Sequence, residues 1–160
     1  TRLNAAEQTA GRLPAGWTYV LPTEAQWEYA CRAGTTTIFS WGNNATSTQA
    51  NFKGTHPYGG GAVGPNLQQT TDVGQYAANP WGFFDMHGNV WEWTADRYQA
   101  AYPTGNPVID PTGPASGSVR GLRGGSWSHD GAALRSAKRG IGPPGNSYYY
   151  LGFRVGFQKQ

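Results

Sequence analysis

The stretch Gly82-Phe83-Phe84-Asp85-Met86-His87-Gly88-Asn89-Val90-Trp91-Glu92-Trp93 constrains the fold of this chain more than any other. It places two carboxylates, two glycines and two tryptophans within twelve residues. Large rings favour burial, and glycines let the backbone turn sharply between them. Carboxylates that close to such rings are either paired inside the fold or committed to a ligand. The rest of the chain agrees with a compact, irregular domain. Only 13% of its residues are charged, while 24 are Gly, 11 Pro and 7 Trp. That is too aromatic for a disordered chain and too rich in Gly and Pro for a helix bundle. A length of 160 residues suits one domain, 1–160, that can bury its own core.

The charge pattern removes whole classes of function. Nine of the twelve basic residues are Arg, scattered among aromatics and glycines with no basic run longer than the pair Lys138-Arg139. They read as partners for the nine acids, not as the clustered basic face that nucleic-acid binding needs. No stretch is long and apolar enough to span a bilayer, and the N-terminus carries no signal-peptide pattern. A single cysteine, Cys31, excludes an intrachain disulfide framework and a zinc–cysteine site.

Along the chain, Thr1 to Ala10 reads as the end of a helix stopped by Gly11. Thr23 followed by Gln26 is a capping box, with Glu24 favourably placed in the first turn. Trp27, Ala30 and Cys31 form the inward stripe of that helix, and Gly34 closes it. From Thr35 to Ala78, glycines, asparagines and prolines predict long ordered loops pinned by Trp41, Phe52 and Tyr76. Val90–Thr94, Val119–Leu122 and Phe153–Phe157 are strand candidates. Tyr102–Gly117, with four prolines, is expected to be a surface loop.

Asp85, Gly88, Val90 and Glu92 have a spacing that a hard cation can use, with two carboxylates and two backbone carbonyls. The alternative is that Asp85 caps a turn and Glu92 pairs with an arginine. Spacing alone favours the second reading, since two carboxylates make a weak motif.

Leu21-Pro22-Thr23-Glu24-Ala25-Gln26-Trp27-Glu28-Tyr29-Ala30, the Gly82–Trp93 stretch, Arg123-Gly124-Gly125-Ser126-Trp127 and Leu151-Gly152-Phe153-Arg154 together resemble the formylglycine-generating enzyme (sulfatase-modifying factor) family. The resemblance implies an α+β, C-type lectin-like fold with few regular elements and long ordered loops. It also implies that the N-terminal part of the family domain is missing from residues 1–160. It assigns Asp85, Gly88, Val90 and Glu92 to a structural calcium site. A second calcium site would take Asn51 and the carbonyl of Phe52, and then an Asp between Tyr58 and Leu67. That stretch holds no acid, and Asn66 is the nearest candidate.

The oxidases of this family work with two cysteines that follow the Arg-Gly-Gly-Ser-aromatic motif. Here that motif is followed by Ser128-His129-Asp130, with His129 near the first cysteine's place. Oxidation of a substrate cysteine by that route is therefore not expected, and Cys31 sits on a buried stripe where a thiol behaves as a small hydrophobe. The framework arginines Arg135, Arg139 and Arg154 are expected to pair with Glu28, Glu92 or Asp96.

Between the framework pieces lie Ser128, His129 and Asp130, then Gly140, Ile141 and Gly142, then Tyr148, Tyr149 and Tyr150. Three adjacent tyrosines cannot all be buried on one face of a strand, and tyrosine is over-used in binding surfaces. These nine residues are the candidate ligand site. The layout resembles variable proteins of diversity-generating retroelements, whose C-terminal segment keeps this framework and diversifies adenine-containing codons between its parts. Every residue at those nine positions is reachable from an asparagine codon. The expected function is a non-catalytic, calcium-stabilised domain binding a protein or glycan, in a cell-surface or extracellular setting, possible as a fusion to a kinase or other domain. The alternative is a metal-dependent oxidase or oxygenase of the same superfamily that uses non-cysteine chemistry, with His129 its first candidate residue.

Overall fold

The computed structural model describes residues 1–102, 104–105 and 108–159. Among the described residues regular structure is sparse: two helices, one 3-10 turn and six short strands are joined by long ordered loops. Helix α1 spans Arg2–Thr9, and Thr1 caps it by accepting a hydrogen bond from the Asn4 amide. Gly11, with φ of 67°, follows its C-terminus at the place where the sequence put the stop. None of its residues is buried. Helix α2 spans Glu24–Arg32, and its start is as the sequence predicts. Thr23 accepts from the Gln26 amide while the Gln26 side chain accepts from the Thr23 amide. Its C-terminus differs by one residue, because Ala33 takes the left-handed conformation ahead of Gly34.

Strands β1 (Trp17–Val20) and β6 (Gly156–Lys159) pair antiparallel in a two-stranded sheet, where Trp17 stacks on Phe157. The larger sheet has the order β4-β3-β2-β5, formed by Gly140–Gly142, Arg120–Arg123, Trp91–Arg97 and Leu151–Gly152. β2 and β5 run parallel, so Trp91 sits beside Leu151. Of the strand candidate Phe153–Phe157, only its last residues belong to β6, and the parallel pairing at Leu151–Gly152 is an addition. The sequence-predicted loop Tyr102–Gly117 is largely exposed, and residues 103, 106 and 107 lie outside the described residues.

Two apolar clusters hold these layers. Trp27, Cys31 and Met86 pack between α2 and the Gly82–Trp93 stretch. Phe39, Ala45, Ala50, Phe52 and Leu134 form a second cluster beneath the long loop. Phe52 and Trp41 pin that loop as expected; Tyr76 is half-buried, and the missing anchor was Phe39.

The Arg-Gly-Gly motif has a clear geometric reason. Gly124 and Gly125 both have positive φ, at 95° and 75°, and a Cβ on Gly124 would meet the Trp27 ring at 3.2 Å. The sharp turn they permit leaves Arg123 pointing inward. Its guanidinium is buried, pairs with Glu28, lies 3.4 Å from Glu24 and donates to the Ser136 and Lys138 carbonyls.

Candidate functional site

The three irregular C-terminal stretches meet at one place. His129, Gly140, Ile141, Gly142, Tyr148 and Tyr150 line a single cavity of about 430 Å³ beside β4. Its inner wall is the buried ring of Trp91 with Leu122. A Cβ on Gly140 would meet the Trp91 ring at 3.0 Å, and one on Gly142 the Trp93 ring at 2.9 Å. The two glycines therefore contribute backbone and let the tryptophan rings come close.

An aromatic ladder forms the other wall. Tyr148 stacks on Tyr150 at 5.2 Å, Tyr150 meets His129 edge-on at 5.5 Å, and His129 meets Trp91 edge-on at 5.7 Å. The Trp91 amide donates to the Tyr150 carbonyl at 2.8 Å, so the tyrosine run is tied directly to β2. Tyr149 points away along the rim, 73% exposed, and packs on Trp127. Tyr148 is 47% and Ile141 56% exposed.

His129 is held by a contact that sequence reasoning missed. Its Nδ1 lies 2.7 Å from the Ser126 hydroxyl and 3.2 Å from that of Ser128. Burial lowers its pKa, against the opposing field of Asp130, so the ring is neutral near pH 7. Ser128, His129 and Asp130 do not form a nucleophile–base–acid relay. Asp130 is exposed and faces Lys53 at 3.9 Å, and among the described residues no carboxylate orients the imidazole. The serine hydroxyls fix the ring in place.

The proposed first calcium residues also share one cavity, of about 400 Å³, lined by Asp85, Gly88, Val90 and Glu92. Arg154 enters it and forks onto Glu92, donating from Nε at 2.5 Å and from Nη2 at 2.6 Å. The Trp27 indole adds a third donor at 2.6 Å. Three donors leave a carboxylate about one free lone-pair site. Asp85 accepts from the Gly74 amide at 2.7 Å through Oδ2 alone. The donor set thus retains oxygens for a hard cation, but Arg154 already balances one of its two charges. Both sequence readings of Glu92, arginine partner and cation ligand, remain compatible with this arrangement.

At the other candidate site, the buried Asn51 uses its Nδ2 to donate to the Gln69 carbonyl at 2.9 Å, while its Oδ1 has no donor. The Asn66 Oδ1 is also buried without a donor. Phe52 is buried in the second apolar cluster, which leaves only its carbonyl available for a ligand role. Oxygens without donors are the chemistry a calcium ion accepts. No group of three or more His, Cys, Asp or Glu side chains placed for a metal occurs among the described residues.

Of the three framework arginines, Arg154 pairs with Glu92 as the sequence expects, and the other two depart from the expectation. Arg139 forks onto Glu24 at 2.6 and 2.8 Å and lies over the rings of Tyr98 and Tyr102. Arg135 has no acid partner among the described residues but donates to the Ala132 carbonyl and covers Tyr58. Glu24, expected only to serve the helix dipole, is buried and joins Arg123 and Arg139. Asp96 instead accepts from the Glu24 amide, and burial raises its pKa.

The one thiol lies far from this surface in chemical terms. Cys31 is fully buried, 3.4 Å from His87 Nε2, and burial pushes its pKa up to about 12. His87 is itself pushed down to about 4 by burial, so the pair is neutral and inert near pH 7.

This architecture has a family. Residues 4–158 match the model of the sulfatase-modifying factor enzyme 1-like domain, and the chain belongs to that family. It is 39% identical over 142 residues to the formylglycine-generating enzyme of Streptomyces coelicolor, covering 84% of this chain and 45% of the relative. It is 40% identical over 137 residues to the serine/threonine-protein kinase pkn1 of Chlamydia caviae, covering 84% of this chain and 20% of the kinase. Among solved structures it resembles Treponema denticola variable protein 1, with a TM-score of 0.75 and 33% identity over 89% of this chain and 48% of that one. The chain thus spans less than half the length of each of these three relatives. The fold is the α+β, C-type lectin-like one that the sequence resemblance implied, and the single cysteine leaves the family's cysteine pair absent. No helix among the described residues is long and apolar enough to cross a membrane.

Proposed function

We propose that this chain is a non-catalytic ligand-binding domain whose site is the cavity and rim formed by Ser128–Asp130, Gly140–Gly142 and Tyr148–Tyr150. One observation carries the reading: three separate stretches of the C-terminal segment converge with Trp91 on an aromatic cavity, with rigid tyrosines exposed at its edge. Rings of this kind provide contact area at low entropic cost. The only thiol is buried elsewhere and unreactive, which speaks against the cysteine chemistry of the oxidases.

The scaffold is stabilised by calcium. Asp85 and Glu92 with the carbonyls of Gly88 and Val90 would hold one ion, and Asn51, Asn66 and the Phe52 carbonyl a second. The donorless oxygens of Asn51 and Asn66 support the second site more directly than the sequence did. The ion would act as a charge and an oxygen-ligand cross-link between loops. A more specific version makes this a variable protein diversified by a retroelement. The likeness to Treponema denticola variable protein 1 and the codon-compatible residues at the rim support it.

The test uses the purified domain against a displayed peptide library and a glycan array, beside a Tyr148→Ala/Tyr149→Ala variant. A ligand held by the parent and lost by the variant, at nearly unchanged melting temperature, is expected. Retained binding, or a collapse of stability, would overturn the reading. Metal analysis of the same preparation should find calcium; stoichiometric copper or iron would favour the oxidase alternative.

A further inference from the structure

We infer that the partner is a protein that presents an extended acidic segment to this cavity, with Lys138 receiving its carboxylate. The inference rests on the binding-surface reading above and adds the sign and shape of what binds.

Charge comes first. None of the residues lining the cavity is acidic, while Lys138 and Arg139 both line it. Arg139 is occupied by Glu24, by the Gln99 carbonyl at 2.8 Å and by the two tyrosine rings over which it lies. Lys138 is exposed and has no carboxylate within ion-pair distance among the described residues. The acid nearest in sequence to His129, Asp130, faces Lys53 instead. A lone lysine on an open surface is solvated and contributes little. Beside a cavity walled by Trp91, Tyr148 and Tyr150, a docked partner would exclude water and strengthen the same charge pair.

Shape decides between partner classes. β4 is the outermost strand of the larger sheet, and among the described residues its only backbone partner strand is β3. The groups on its free edge can pair with an added extended segment. Alternate side chains of that segment would then face the cavity. The exposed Ile141, Tyr148 and Tyr149 supply the apolar and aromatic core that protein interfaces use. A saccharide would leave both the strand edge and Ile141 without a counterpart.

The experiment selects binders from a displayed random-peptide library against the whole 160-residue domain. Selected peptides are then synthesised and titrated calorimetrically against the parent, Lys138→Glu and Tyr149→Ala. Selected sequences should share an Asp or Glu flanked by apolar residues. Lys138→Glu should weaken them about tenfold or more, and replacing the peptide's acid by Lys should restore affinity for that variant. Peptides without a shared acid, or Lys138→Glu binding as well as the parent while Tyr149→Ala does not, would overturn the acidic partner and leave the surface standing. A failure of peptide selection with tyrosine-dependent binding to saccharides would overturn the protein class. Binding that ignores Tyr149→Ala altogether would bring down the surface reading itself.

Discussion

His87 should make the stability of this domain fall steeply on mild acidification, and by a calculable amount. The imidazole is buried, with Nδ1 donating to the Leu134 carbonyl at 2.7 Å and Nε2 accepting from the Ser40 amide at 3.2 Å. The rings of Phe39 and Trp41 pack against it, and the neutral thiol of Cys31 lies 3.4 Å from Nε2. Charging it would desolvate a cation near Arg32 and break the Ser40 bond. Its pKa accordingly drops from 6.5 to about 4. The unfolded chain therefore binds a proton that the folded chain refuses. Stability is complete above the unfolded value and is lost as pH falls toward the folded one. At about 1.4 kcal/mol per unit, the loss is about 2 kcal/mol by pH 5 and about 3 kcal/mol by pH 4. For a domain of this size the pH 5 loss alone lowers the melting temperature by about 4–8 °C. The assay is urea unfolding at a series of pH values for the parent and His87→Asn, which lacks the titration. The parent should lose stability more steeply than the variant by that margin, whatever the absolute cost of the substitution. The ring proton resonance of His87 should titrate with a midpoint near 4. Equal slopes, or a ring that titrates near 6.5, would refute the reasoning.

Three other outcomes follow from the packing. Arg123→Met should destabilise by about 3–5 kcal/mol in denaturant unfolding, because Glu28 and Glu24 lose a buried partner; a cost below about 1 kcal/mol would show that the network is not what holds α2 to β3. Gly140→Ala should cost about 1–3 kcal/mol, since the new methyl meets Trp91 at 3.0 Å and Leu122 at 3.2 Å; no cost would mean the Trp91 wall is loose. Removing metal with a chelator should lower the melting temperature and calcium should restore it, by mass action on a folded-state ligand. Asn51→Ala should abolish part of that shift if its donorless oxygen is a ligand.

The sequence disclosed most where partners are close along the chain. The Thr23–Gln26 box needs only three residues to be recognised, and the α2 stripe only one turn more. The ion pairs were harder, because the Arg139–Glu24 fork joins residues 115 apart and pattern alone cannot choose among nine acids. The tyrosine run announced exposure through its own redundancy. That Tyr150 would meet His129, and His129 meet Trp91, depends on the parallel β2–β5 pairing, which no local signal predicts. The donorless oxygens of Asn51 and Asn66 depend on how the loop closes and were invisible for the same reason.

The glycines at 140 and 142 set a limit on how this surface can be varied. The space of their missing side chains is taken by the Trp91 and Trp93 rings, so any larger residue there must displace a ring and cost stability. A combinatorial library built on this scaffold should hold both glycines fixed and vary 128, 129, 130, 141, 148, 149 and 150. Tyr148, Tyr149 and Ile141, being exposed, can change at little cost to folding. Sampling is then concentrated on positions where a new side chain alters recognition without a matching loss of yield.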